Sequence, residues 1–345
     1  MITTNIKKTT NFPLFLLTLN VLIFSIFLSG CVEKYDRSEV HLLAFSPDGS
    51  KLISCDNENM VQIWDVNAGE ELYRFNWDET SSLTTIPMNI EWLQDSERFA
   101  IMDGLHIRIY SSLNSSELWN CTGSFSYIDV SENGQVFASI FGIWNTSNYE
   151  KRHEFDFSSK SYLVDLSLSG TQLLYLPTTG KAPEIIYTSN GTTAQHLEEI
   201  PYNTTDLGSI YGLRWSDDEH QIGMLVDFRK IYGKIGYYEW ETNNYSLLIN
   251  KTFNLSRGFA DISPKLTQFI YANPRDKNIT IYDISEEESL MKFEFEEESI
   301  STVAWSPDGS MVAAGSSDGV IKVWNADTGE LLQMFLTAKD RRLHV

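Results

Sequence analysis

The chain has 345 residues, a formal net charge of −21 at pH 7, and 42% hydrophobic and 13% aromatic residues. So acidic a body repels phosphate backbones, which excludes nucleic acid as an expected partner. The apolar content suffices for one large core, whereas 3 cysteines are too few for a disulfide framework in a chain of this size.

In chain order, residues 1–30 read as an export signal. Lys7 and Lys8 precede an apolar run from Phe12 to Leu28, the basic head and short greasy segment that a translocation machine reads. The run ends in Leu28-Ser29-Gly30-Cys31, which resembles the lipobox of secreted lipoproteins. That resemblance implies cleavage before Cys31, a lipid on its thiol, and a protein held on the extracytoplasmic face of the cell membrane. The apolar length also allows an uncleaved membrane anchor, and either outcome leaves the remainder tethered outside. Residues 31–39 form the tether. Cys55 and Cys121 then remain, expected on a second strand and on an outer edge and too far apart to bridge.

From residue 40 to 336 a repeat sets the fold. Phe45-Ser46-Pro47-Asp48-Gly49 and Trp305-Ser306-Pro307-Asp308-Gly309 each follow an apolar strand and supply a tight turn. Each is followed by a second strand, then a third ending in Ile63-Trp64-Asp65 or Val323-Trp324-Asn325, a turn, and a fourth strand. The unit resembles the WD40 repeat. Between the two clear copies the motif decays but two phases persist. Third-strand aromatics fall at Trp64, Tyr110, Trp144, Tyr187, Trp240, Tyr282 and Trp324. First-turn positions fall at Ser46, Leu93, Ser131, Ser167, Ser216, Ser263 and Ser306. Both series average about 43 residues per step, within the WD40 range. The expectation is an all-β, seven-bladed WD40-like β-propeller of four-stranded antiparallel blades, with the seven aromatics packed between blades and residues 337–345 as a tail. Blade 3 is the shortest. No fourth strand is expected to be exchanged between the chain ends.

The sequence departs from the WD40 pattern in its polar network. No His follows a Gly, and blade 7 keeps Asp318 and Trp324 but has Ala314 where the family has a hydroxyl. The network is therefore expected to be missing.

Chemistry-bearing motifs are sparse. Gly315-Ser316-Ser317-Asp318-Gly319 matches the G-x-S-x-G elbow, but lies between two strands and not before a helix. The His residues show no metal spacing, and no glycine-rich phosphate loop is present. Neither a catalytic residue, nor a metal, nor a cofactor is expected. Sequons stand at Asn114, Asn120, Asn145, Asn190, Asn203, Asn244, Asn250, Asn254 and Asn278, candidate glycosylation sites for an exported protein.

The expected function is a non-enzymatic, lipid-anchored surface propeller that binds protein partners or surface glycans. Two alternatives stay open. One is a propeller enzyme, a quinoprotein or glycan-acting hydrolase, which predicts charged residues converging on the central channel or a bound cofactor. The other is a lipoprotein that assembles envelope proteins. The binding surface is expected on the face of the second-to-third-strand loops. There blade 5 is longest, and Phe228, Arg229, Lys230, Ile231 and Tyr232, extended by Arg275 and Lys277, form a basic, aromatic candidate patch.

Overall fold

The computed structural model describes residues 38–77, 87–123, 127–155, 161–177, 183–198, 207–228, 234–242, 244–255, 258–274, 277–295 and 299–337, all within one compact unit, Arg37–Thr337. Side chains of 161–164, 176–177 and 207–209 lie outside that description. Cys31, Asn203, Arg229 to Tyr232 and Arg275 also lie outside the described residues.

Seven four-stranded sheets, each of consecutive antiparallel strands, form a β-propeller, with no helix among the described residues. Blade 1 is β1 (Val40–Phe45), β2 (Lys51–Asp56), β3 (Met60–Asp65) and β4 (Glu70–Asn76). Blade 2 is β5 (Asn89–Trp92), β6 (Arg98–Met102), β7 (His106–Ser111) and β8 (Glu117–Thr122). Blade 3 is β9 (Ile128–Val130), β10 (Val136–Ser139), β11 (Gly142–Asn145) and β12 (Lys151–Glu154). Blade 4 is β13 (Ser161–Leu166), β14 (Gln172–Pro177), β15 (Glu184–Tyr187) and β16 (Thr193–His196). Blade 5 is β17 (Leu207–Trp215), β18 (Gln221–Phe228), β19 (Ile235–Glu241) and β20 (Leu247–Phe253). Blade 6 is β21 (Phe259–Ile262), β22 (Gln268–Asn273), β23 (Asn278–Asp283) and β24 (Ser289–Glu294). Blade 7 is β25 (Ile300–Trp305), β26 (Met311–Ser316), β27 (Val320–Asn325) and β28 (Leu331–Leu336).

The first strand of each blade touches the first strand of the next, from β1 through β5, β9, β13, β17, β21 and β25 back to β1. These seven strands therefore line the channel, and the fourth strands form the rim.

The first-turn series has a backbone cause. In every blade the fourth residue of that turn adopts a left-handed conformation: Gly49, Ser96, Gly134, Gly170, Glu219, Leu266 and Gly309, with φ between 55° and 75°. Glycine takes this conformation without steric cost, and four blades use it. Where a Ser opens the turn, its hydroxyl stiffens it. Ser46 Oγ donates to Asp48 Oδ1 at 2.6 Å and accepts from the Lys51 N–H at 2.9 Å. Ser216 and Ser306 repeat both bonds.

One blade cannot bury both of its faces, so the core consists of seven clusters, one between each pair of neighbours. An outer-strand side chain of one blade packs, tilted, against the third-strand aromatic of the next, as Phe293 does on Trp324 at 5.2 Å and Phe75 on Tyr110 at 4.8 Å. Trp64, Tyr110, Trp144, Trp240 and Trp324 are buried and Tyr282 partly so, but Tyr187 is 44% exposed. The expected packing role fails for Tyr187 because the blade 3–blade 4 interface uses Ile186, clustered with Phe155. The ring closes without strand exchange, since β25 to β28 are consecutive. Blades 7 and 1 join through Phe335 packed at a tilt against Trp64 at 4.9 Å and through a hydrogen bond from Ser301 Oγ to the Val40 carbonyl.

The polar network is not wholly absent. In blade 1, Trp64 Nε1 donates to Ser54 Oγ at 2.9 Å. Ser54 occupies the position that Ala314 holds in blade 7, so the hydroxyl survives in one terminal blade and is lost in the other.

Candidate functional site

The channel gathers strongly perturbed carboxylates. Counting back two residues from each first turn gives Ala44, Glu91, Asp129, Asp165, Arg214, Asp261 and Ala304. Five of these seven channel positions are charged, all in blades 2 to 6.

Most of these groups bridge to the next blade. The Leu166 N–H donates to Asp129 Oδ2 at 2.5 Å, the Trp215 N–H to Asp165 Oδ2 at 2.9 Å, and the Trp305 N–H to Asp261 Oδ2 at 2.9 Å. Arg214 reverses the polarity, donating from Nη1 to the Ile262 carbonyl at 3.1 Å. Each bond satisfies a backbone group that the apolar interface would otherwise strand, and such a group is costly to leave unpaired. Glu91 differs: it accepts from Asn89 Nδ2 at 3.3 Å, within its own blade.

Burial weakens the charged form of every carboxylate here. It pushes Glu91 up to about 8, helped by the negative charge of Asp129, and Asp129 up to about 6. Asp165 is raised well above the usual carboxylate range and Asp261 is raised, burial leading in both and the Arg214 guanidinium opposing it. Glu132, on the first turn of blade 3, is raised by burial as well.

At one end the channel opens into a cavity of about 310 Å³. Its wall combines Glu91, Asp129, Asp165 and Arg214 with Glu132 and Asp308. Pro47, Gln94, Leu168 and Pro307 of the first turns complete the mouth, so it lies on the face of the first-to-second-strand turns. This is the face opposite to the second-to-third-strand loops, where the binding surface was expected.

Of the expected blade 5 patch, Phe228 and Lys277 lie among the described residues. Blade 5 is long because its strands are long, 9, 8, 7 and 7 residues. Asp227 and Phe228 therefore continue β18 where a loop was expected. Phe228 is 4% exposed, packed in the blade 4–blade 5 core with its ring over Gly236, so it is no interface anchor. Lys277 is exposed, in a left-handed turn at φ 51°. Among the sequons, Asn114, Asn120, Asn190, Asn244, Asn250 and Asn254 are exposed, and Asn145 and Asn278 half-buried. Cys55 is buried and Cys121 half-buried, and both are free thiols. Ser317, the elbow serine, sits in the β26–β27 turn, where its Oγ accepts from the Ser299 N–H. No group of three or more metal-binding side chains occurs among the described residues.

The channel charges keep phase with the first-turn series, which is the one signal the sequence carries for them; the use each is put to depends on the next blade. Net charge and charge runs do not reveal them, since each is a single residue on a separate strand.

Two stretches of the chain, residues 29–65 and 287–325, match the model of the WD domain, G-beta repeat family. They cover the blade 1 strands through β3 and the sequence from β24 to β27. Over most of its length the chain is similar to Protein tipD of Dictyostelium discoideum, 23% identical over 86% of this chain and 41% of the relative. It is also similar to WD repeat-containing protein 1 of Xenopus tropicalis, 25% identical over 83% of this chain and 48% of the relative. The same-named protein of Gallus gallus is 22% identical over 85% and 49%. The chain thus spans less than half the length of these relatives. The molecule is a seven-bladed β-propeller, two stretches of which are similar to the WD domain, G-beta repeat.

Proposed function

We propose that this propeller is a non-catalytic binding scaffold, held outside the cell by a lipid on Cys31, and that it takes a basic segment of a protein partner at the acidic channel mouth. The observation that carries the binding reading is the use made of the channel charges. Asp129, Asp165, Arg214 and Asp261 are each tied to a backbone group of the next blade, so they build the ring and leave an acidic, preformed mouth above it. A basic side chain entering that cavity meets Glu132 and Asp308 on its wall, and Asp308 is held in its charged form by its turn hydrogen bonds. The lipobox-like Leu28-Ser29-Gly30-Cys31 and the exposed sequon asparagines support the extracytoplasmic placement.

The test is capture of partners from native membranes by the tagged full chain, against a variant with Gln94→Lys and Glu132→Lys at the mouth. Reversing the charge there should abolish capture of the specific partner while thermal unfolding stays unchanged. Equal capture by both proteins refutes the mouth as the binding surface. Mass spectrometry of the mature N-terminus decides the anchor separately.

The enzyme reading gains one observation, since charged residues do converge on the channel. Glu91, protonated near neutral pH and free of a bond to the next blade, is the group a glycan-acting hydrolase would use as its acid. Turnover of surface glycans by the wild type, lost in Glu91→Gln, would replace the scaffold reading.

A further inference from the structure

The rim of blade 7 differs from the other rims. On β28, Met334 and Leu336 pair with Lys322 and Val320 of β27. At the same register, blade 1 has Arg74 and Asn76, and blade 2 has Asn120 and Thr122. Blade 5 has Asn250 and Thr252, and blade 6 has Lys292 and Glu294. Blade 7 is thus apolar where these four blades are polar or charged. With Leu331 and Leu332, four of the six residues of β28 are large, aliphatic and 39 to 52% exposed. The strand carries no charge in a chain of net −21, and its outer edge pairs with no strand among the described residues. Soluble proteins protect such edges with charges or bulges, and an exposed apolar strip of this kind marks a contact surface.

The place where the chain enters the ring indicates what covers the strip. Val40 opens β1 and is held by Ser301 of blade 7, so the tether joins the ring at the blade 7–blade 1 junction. From the innermost to the outermost strand of a blade is three spacings, ~15 Å. Residues 32–39 span up to ~27 Å. A lipid on Cys31 therefore holds the bilayer within reach of the blade 7 rim at all times, a far higher local concentration than any diffusing partner attains.

We infer that β28 docks on the lipid surface, with Leu332, Met334 and Leu336 entering the headgroup boundary and the ring standing on its rim. This rests on the lipid-anchor reading of Cys31. In that posture both ends of the channel, including the acidic mouth, stay open to solvent.

The experiment uses the full-length protein, purified from its membranes and reconstituted into phosphatidylcholine vesicles. Nitroxide labels are placed at Met334→Cys and, as the register-matched control, Arg74→Cys, in a Cys121→Ser background; Cys55 is buried. Docking predicts that the label at 334 is more accessible to oxygen than to a water-soluble nickel chelate, and that the label at 74 shows the reverse. Water-like accessibility at both positions, with Cys31 lipidated by mass spectrometry, overturns the docking and leaves the anchor intact. Dipolar broadening at 334 overturns it in favour of a second copy on the strip. An unmodified Cys31 overturns both readings.

Discussion

Blades 1 and 7 hold together differently from blades 2 to 6. The terminal pair carries the clear repeat: Ser-Pro-Asp-Gly turns, a third-strand Trp, and alanine at the channel position, Ala44 and Ala304. Their junction is aromatic and apolar, with Phe335 on Trp64 and Ala313, Ile321 and Val323 behind it. In the middle blades the repeat fades, while the channel position becomes charged and, from blade 3 onward, ties each blade to the next through a backbone group. The difference teaches that the repeat and the channel charges are two solutions to one problem, the joining of neighbouring blades.

The sharpest break of this comparison is at the closing junction. Trp64→Ala removes a buried ring, its contact with Phe335 and its bond to Ser54. The expected loss is about 3–5 kcal/mol, the usual cost of emptying a buried Trp site. A denaturant midpoint that barely moves would show that closure does not depend on this contact.

The middle blades should break through a hydrogen bond. Asp165→Ala strands the Trp215 N–H and should cost about 1–3 kcal/mol. Asp165→Asn keeps an acceptor oxygen at the same place and should cost much less, because the site holds its carboxyl well toward the neutral form. Equal losses in the two variants would mean that charge, and not the acceptor, is what the site needs.

The blade count and the blade boundaries were legible because turn and aromatic recur in fixed phase, and each mark has a local cause. The left-handed fourth residue of the turn and the buried third-strand ring are demands that a single blade makes of its own sequence. What was not legible depends on register and on the neighbour. Tyr187 follows an Ile like most of the other third-strand aromatics, yet it stands one residue out of register. Ile186, opposite Leu173, holds the place that Trp64 holds opposite Leu52, and Tyr187 faces the other way. Phe228 looks like part of a loop, yet blade 5 extends its strands and buries it. The channel carboxylates look like solvent-facing charges until the next blade's N–H groups are set beside them. The surviving Ser54–Trp64 bond was missed because blade 7, with Ala314, was taken to stand for both ends.

A smaller effect follows from pH, and its sign is unusual. Glu91 and Asp129 titrate higher in the folded ring than the ordinary value near 4 for an unfolded chain. Between those values the folded state binds more protons than the unfolded one, so stability falls as pH rises. The melting temperature should therefore be higher at pH 6 than at pH 8, the window in which Glu91, raised to about 8, loses its proton. Glu91→Gln should flatten that slope and raise the melting temperature at pH 8. The surface carboxylates Asp48, Asp218 and Asp308, which their turn hydrogen bonds hold low, act in the opposite sense only in more acid solution. A melting temperature rising from pH 6 to pH 8 would show that the channel does not control the slope.

The smallest effect compares the same turn position in the two regions. Gly309 in blade 7 sits at φ 75°, and an added Cβ would meet only Pro264, at 3.6 Å, an ordinary contact. Gly309→Ala therefore isolates the backbone cost, about 1 kcal/mol of destabilisation for forcing a side chain into the left-handed region. Glu219 in blade 5 holds the same conformation at φ 58° and already bears that strain. Glu219→Gly relieves it but loses the bond that Glu219 Oε1 accepts from the Ser169 N–H at 2.6 Å, a tie between blades 5 and 4. The two terms have opposite signs and similar size, about 1 kcal/mol each, so the net change should be near zero. A gain as large as the Gly309→Ala loss would mean that the Ser169 bond contributes nothing. A clear loss would mean that this bond outweighs the strain, and that the middle blades use their side chains to join neighbours even at the turns.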